Sequence, residues 1–198
     1  MRGFATISTT ILLAIAAPAP SFAQGAPDLD ALACAWGKLP AAEQTRLRDE
    51  FQVKLLNGSF MIFFGAPNAA GAADSARDCQ LTLTPPQVER LAVALSRRAA
   101  VEKAKAGIAA RGDDPALIQT ALGKMHEGKR ERIGDRLSCQ GPHSMVKEWD
   151  ESVKGAMRRA KLRFNNAGTY PWISLGLYAN MAEEGAMRRM NGGTASCE

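Results

Sequence analysis

Two histidines, His126 and His143, stand among the 198 residues. His126 is followed by Glu127, but the helical metalloprotease pattern needs a second imidazole four residues after the first, and that place is held by Arg130. His143 is distant in sequence, so the two rings can meet only through tertiary folding. Glu148, Asp150 and Glu151 offer carboxylates. Paired-carboxylate hydrolysis needs two of them facing across a cleft with separated pKa values. These three, like Glu183 and Glu184, fall on what reads as the polar face of a helix, with Lys147 and Lys154 as neighbours. No serine sits in a G-x-S-x-G elbow and no Gly-rich phosphate loop is present. The sequence therefore assigns no catalytic residue, no cofactor and no metal ligand.

The cations are better organised. Lys154, Arg158 and Lys161 share one helical face, with Arg159 and Arg163 beside it, and no acidic residue falls between 154 and 163. This is the candidate anion contact. It lies at a helix end, where cations also complement the macrodipole. The formal net charge is only +5. That suits an anionic polymer or surface as partner. Nucleic acid is not expected in the compartment argued next.

Residues 1–23 read as an export signal. Arg2 supplies a positive start, Ile11 to Ala17 an apolar stretch, and Ser21-Phe22-Ala23 the small-x-small pattern of a cleavage site before Gln24. The stretch is shorter than the roughly 20 apolar residues of a membrane span, and no later one approaches that length. Ala31 to Cys34 loosely matches a lipidation site. Pro27, Asp28 and Asp30 break the apolar lead such a site requires, and the acidic pair suits a helix start instead. All four cysteines, Cys34, Cys79, Cys139 and Cys197, lie beyond the signal. An even count in an exported chain implies two disulfides and no free thiol nucleophile. Three connectivities are open. Pairing sequence neighbours, Cys34 with Cys79 and Cys139 with Cys197, is preferred, because each bridge then ties one half of the chain. C-x-x-C and C-x-x-C-H spacings, for metal or haem, are absent.

The elements that must position these groups read as helices. Leu29, Leu32, Ala33 and Trp36 recur at helical spacing. Pro40 opens a second helix whose stripe is Leu47, Phe51 and Leu55, stopped by Asn57-Gly58. Residues 59–78 are the least regular, with an apolar run Phe60 to Phe64 that reads as core beneath a loop, then loop or weak helix. A long helix follows Thr84-Pro85-Pro86-Gln87, with Leu91, Ala92, Leu95 and Ala99 facing inward. Asp114-Pro115 opens the next, with a charged continuation from Gly128 to Arg136. Val146, Trp149, Val153, Ala156, Ala160 and Phe164 mark another, and Thr169 and Pro171 begin the last. Tyr170, Trp172 and Tyr178 fall at helical spacing and read as packing residues. The expectation is an all-α fold: about six helices in one disulfide-stapled bundle over residues 24–198, closed by an αα-hairpin whose ends Cys139 and Cys197 would join. Gly-Ala-Met-Arg-Arg occurs at 155–159 and again at 185–189. The flanks differ, so it reads as a shared helix-end composition, not a repeat.

Leu83-Thr84-Pro85-Pro86-Gln87 resembles the L-T-x-x-Q motif of small helical periplasmic stress chaperones. The resemblance covers five residues, a second motif is absent and the four cysteines depart from that pattern, so its function is not carried over. The expected role is that of an exported, non-catalytic helical protein, periplasmic or secreted, that binds an envelope protein or anionic polymer. A periplasmic chaperone is the alternative, and a helical hydrolase of an envelope polymer the third.

Overall fold

The N-terminal carboxylate of the first helix shows how local chemistry sets the elements. Asp28 accepts the backbone N–H groups of Asp30 and Ala31 at 3.1 and 2.9 Å, so α1 (Leu29–Lys38) starts at once after it. In this computed structural model, which describes residues 28–56, 59–139 and 141–193, seven further helices follow. They are α2 (Ala41–Glu50), α3 (Ala69–Asp78), α4 (Pro85–Ala109), α5 (Leu117–Leu122), α6 (Glu127–Leu137), α7 (Lys147–Ala160) and α8 (Thr169–Met190). The export signal, its cleavage point after Ala23, and Cys197 lie outside the described residues.

The all-α expectation needs one correction. β1 (Gln52–Leu56) and β2 (Ser59–Phe63) form an antiparallel pair, and β3 (His143–Ser144) adds to β2 to give the order β1-β2-β3. The register runs from Gln52 opposite Phe63 to Leu56 opposite Ser59. The helical stripe Leu47, Phe51, Leu55 is therefore broken after Glu50: Phe51 is buried as the helix ends, whereas Leu55 is 61% exposed on a strand. Two five-residue apolar-rich runs around Asn57-Gly58 carry a hairpin signal, and cross-strand pairing outweighs the short helical periodicity.

Other boundaries shift for identifiable reasons. α3 forms because the Asn68 side chain accepts from Gly71 N–H at 3.0 Å. α4 opens as expected: the Gln87 amide oxygen accepts both the backbone N–H and the hydroxyl of Thr84, each at 2.9 Å. The charged stretch after α5 is a separate helix, α6. Lys161, with φ 48°, ends α7 before Phe164 is reached. Thr169 does not cap α8. Its hydroxyl donates to Asp113 at 2.5 Å, tying α8 to the turn after α4.

α4 and α8 form a spine through two apolar clusters. One joins α1, α2, α3 and the first half of α4 to the end of α8, through residues such as Leu32, Leu47, Ala76, Leu91 and Met190. The other joins the second half of α4 with α5, α6, α7 and most of α8, around Ile108, Ile118, Leu137, Val153 and Leu177. The expected αα-hairpin of the last two helices is correspondingly modest: α8 packs mainly on α4 and α6 and only lightly on α7. Glycine makes that choice. Gly134 of α6 and Gly185 of α8 meet backbone to backbone, and a Cβ on Gly185 would collide with the Gly134 carbonyl. Around this crossing Arg130 pairs with Glu184 at 2.5 Å and Arg188 with Asp135 at 2.8 Å.

Cys34 is bonded to Cys79, with the Cα atoms 6.1 Å apart, stapling α1 to the end of α3. This is one of the two expected bridges, and it leaves Cys34 no sulfur for a lipid. Cys139 is also a disulfide cysteine. No helix among the described residues is long and apolar enough to cross a membrane.

Candidate functional site

α7 buries Val153, Gly155, Ala156 and Met157 and turns its charged residues outward. Between those residues and the Gly123–Lys129 segment, which runs from the end of α5 into the first turn of α6, lies an open cleft of about 670 Å³. Four fixed cations line it: Lys124, Lys129, Arg158 and Arg159. Two carboxylates, Glu148 and Glu151, and the ring of His126 line it as well. Arg159 ties the two walls together, since its Nε and Nη2 both donate to the Lys124 carbonyl, at 3.1 and 2.9 Å.

The candidate anion-contact set thus divides. Arg158 and Arg159 enter the cleft. Lys154 is exposed and paired with Asp150 at 2.5 Å; that carboxylate raises its pKa above the ordinary lysine value. Lys161 and Arg163 are exposed beyond the end of α7 and do not line the cleft. The hydrolase candidates divide too. His126, Glu148 and Glu151 share the cleft, whereas His143 is buried elsewhere. Glu148 and Glu151 stand one turn apart on the same helix, so they do not face each other across the cleft as a paired-carboxylate mechanism requires. The Ser152 hydroxyl is engaged with the Glu148 carbonyl at 2.8 Å. No group of three or more histidine, cysteine or acidic side chains among the described residues is placed to hold a metal ion.

A second charged centre went unread in the sequence. Arg97, on α4, is only 2% exposed. Its Nε donates to the Leu137 carbonyl at 3.2 Å, Nη1 to the Ser96 hydroxyl at 2.8 Å and Nη2 to the Cys139 carbonyl at 2.5 Å. The guanidinium also lies 4.0 Å from the centre of the Phe64 ring. None of these partners is anionic. Burial without a counter-charge lowers its pKa to about 9, so it remains a cation at neutral pH. His143 meets the same junction: its Nε2 lies 3.0 Å from the Cys139 carbonyl. Burial holds its pKa below the ordinary value, and Arg97 and Arg136 push the same way against the effect of that hydrogen bond. The available signal was the setting. Leu91 to Leu95 is apolar on every face of α4, and a helix apolar all round is buried, so the charge two residues later needs an interior partner.

The other singled-out residues have structural roles. Glu183 is buried and its carboxyl is raised by desolvation, but it pairs with Arg98 at 3.1 Å and joins α8 to α4. The Phe60–Phe64 run is not uniformly core: Ile62 is fully buried while Phe60 is 55% exposed, beside the exposed Leu55 and Leu56. Tyr178 is buried in the helical core, and Trp172 packs against Gly107 with Arg111 over its ring. Set against known proteins, the chain matches no family model, no curated sequence and no solved structure.

Proposed function

We propose that this is an exported, non-catalytic binding protein that takes an anionic envelope or extracellular polymer in the cleft beside α7. The observation that carries this reading is the convergence of Lys124, Lys129, Arg158 and Arg159 on one open cleft, from two separate segments of the chain. A helix end alone would account for Arg158 and Arg159. It does not account for two lysines on the facing wall. Open shape and exposed charge suit a polymer that passes through, in which several weak contacts act together. Glu148 and Glu151 at one end of the cleft would favour a partner whose anionic groups are spaced instead of continuous. Export is supported by the leading segment of the sequence and by the Cys34–Cys79 disulfide, a bond that persists in oxidising compartments.

The test is equilibrium binding of the mature protein to polygalacturonate at low and at high salt. Binding that weakens steeply with salt, and is lost in an Arg158→Ala, Lys129→Ala double variant that remains folded, is the expected result. Unchanged binding in that variant would remove the cleft from consideration.

The exposed Leu55, Leu56 and Phe60 favour one second reading, the periplasmic chaperone, since such a surface suits unfolded clients. Suppression of client aggregation that vanishes in a Phe60→Ser variant is its expected signature. Absence of suppression across several clients would end it.

A further inference from the structure

Arg97 reaches the wall of a second cavity, about 460 Å³, bounded by the β1–β2 pair, by Gly65 to Pro67 and by Gly141-Pro142. We propose that this cavity is a binding site for a small organic acid, whose carboxylate would meet the Arg97 guanidinium and whose apolar body would lie against Phe63, Phe64, Pro67 and Pro142.

Three observations carry the proposal. The first is charge. A guanidinium buried this deeply is costly unless paired, and no carboxylate pairs with Arg97 among the described residues. The second is valence. A guanidinium has five N–H donors, and three are engaged by the Leu137, Ser96 and Cys139 oxygens. Both terminal nitrogens therefore retain an N–H for a planar, two-oxygen acceptor. The third is the composition of the walls. Two aromatic rings and two prolines form an apolar lining. The carboxylate of Glu50 is already held by Arg46 and by the Ala66 N–H, at 2.7 and 2.8 Å. Lys54, whose Nζ lies 5.6 Å from the Phe63 ring centre, adds a second cation to the lining. A charged base, a few directed donors and an apolar wall are the features of a small-molecule site. This site is separate from the α7 cleft and does not depend on what that cleft binds.

The test is an NMR titration of the full mature chain with benzoate, read at the Nε–H signal of Arg97. Benzamide serves as the uncharged control and inorganic phosphate as the non-planar anion. The expected result is a saturating shift with benzoate and none with benzamide, and an apparent Kd raised several-fold by Phe63→Ala, in which Arg97 keeps its contacts. An Arg97 signal that does not move with benzoate would overturn the proposal. So would an equal response to benzamide, which would make the site merely apolar, or a response to phosphate alone, which would reject the carboxylate assignment.

Discussion

Gly-Ala-Met-Arg-Arg at 155–159 in α7 and the same five residues at 185–189 in α8 are put to different uses. The middle residues behave alike: Ala156 and Ala186, and Met157 and Met187, are all buried. The ends diverge. A Cβ on Gly155 would crowd only the end of the Arg159 side chain, at 3.2 Å, whereas one on Gly185 would lie directly on the α6 backbone. Arg158 and Arg159 line an open cleft. Arg188 is spent on Asp135 and on the Glu131 carbonyl, and Arg189 on the Ser138 hydroxyl and the Cys139 sulfur. Identical letters thus line a cleft in one helix, where only Arg159 reaches across to a neighbouring segment, and form a close helix–helix joint in the other. What decides is whether a second helix crosses at the glycine.

The sharpest way to break this comparison is at the glycines. Gly185→Ala is expected to destabilise by about 3 kcal/mol, because backbone, not a side chain, must move. Gly155→Ala should lie within about 1 kcal/mol of the parent, as gained helix propensity offsets displacement of Arg159. Urea unfolding of the two variants decides it, and similar losses would show that the α6–α8 crossing is not special.

Arg97→Met follows, with an expected loss of about 2 kcal/mol. Three oxygens lose their donor, partly offset by removal of an uncompensated buried charge. A gain in stability would mean that the charge outweighs its hydrogen bonds. Next, Arg188→Ala should cost about 1 kcal/mol and Arg158→Ala less than about 0.5 kcal/mol, since only the former breaks a joint between helices. Equal effects would erase the contrast between the two copies.

The smallest effect concerns pH at the junction that Arg189 also reaches. His143 is favoured neutral in the fold and has an ordinary pKa of about 6.5 when unfolded. Its contribution is therefore complete above that value and is lost as pH falls below it, because the unfolded chain then binds the proton more readily. His143→Gln should flatten the stability profile as pH falls below about 6.5. An unchanged slope would mean that another group titrates there.

These contrasts also mark what was legible in the sequence. Helix starts were readable at Asp28 and Thr84, where a capping side chain stands before a clear apolar stripe, but not at Asn68, whose cap precedes the small, weakly patterned α3. The Cys34–Cys79 pairing followed from sequence proximity. The hairpin at 52–63 was missed because Leu47, Phe51 and Leu55 happen to keep helical spacing, and the first strand, with only Val53 partly buried, shows no alternation to set against it. At the site, the run from Lys154 to Arg163 drew attention to α7, but only Arg158 and Arg159 of it line the cleft, because periodicity cannot say which cations face a neighbouring wall. Lys124, Lys129 and His126 come from a segment some thirty residues away in sequence. The apolar run before Arg97 marks it as buried, but what it bonds to was hidden for a related reason. Its partners are carbonyls of Leu137 and Cys139, and backbone acceptors leave no trace in residue type.

The central claim is that the α7 cleft binds an anionic polymer. The most direct measurement is amide chemical-shift mapping of the mature protein as polygalacturonate is added. The account predicts shifts confined to Gly123–Lys129 and to Glu148–Arg159. Shifts centred elsewhere, or none at low salt, would contradict it.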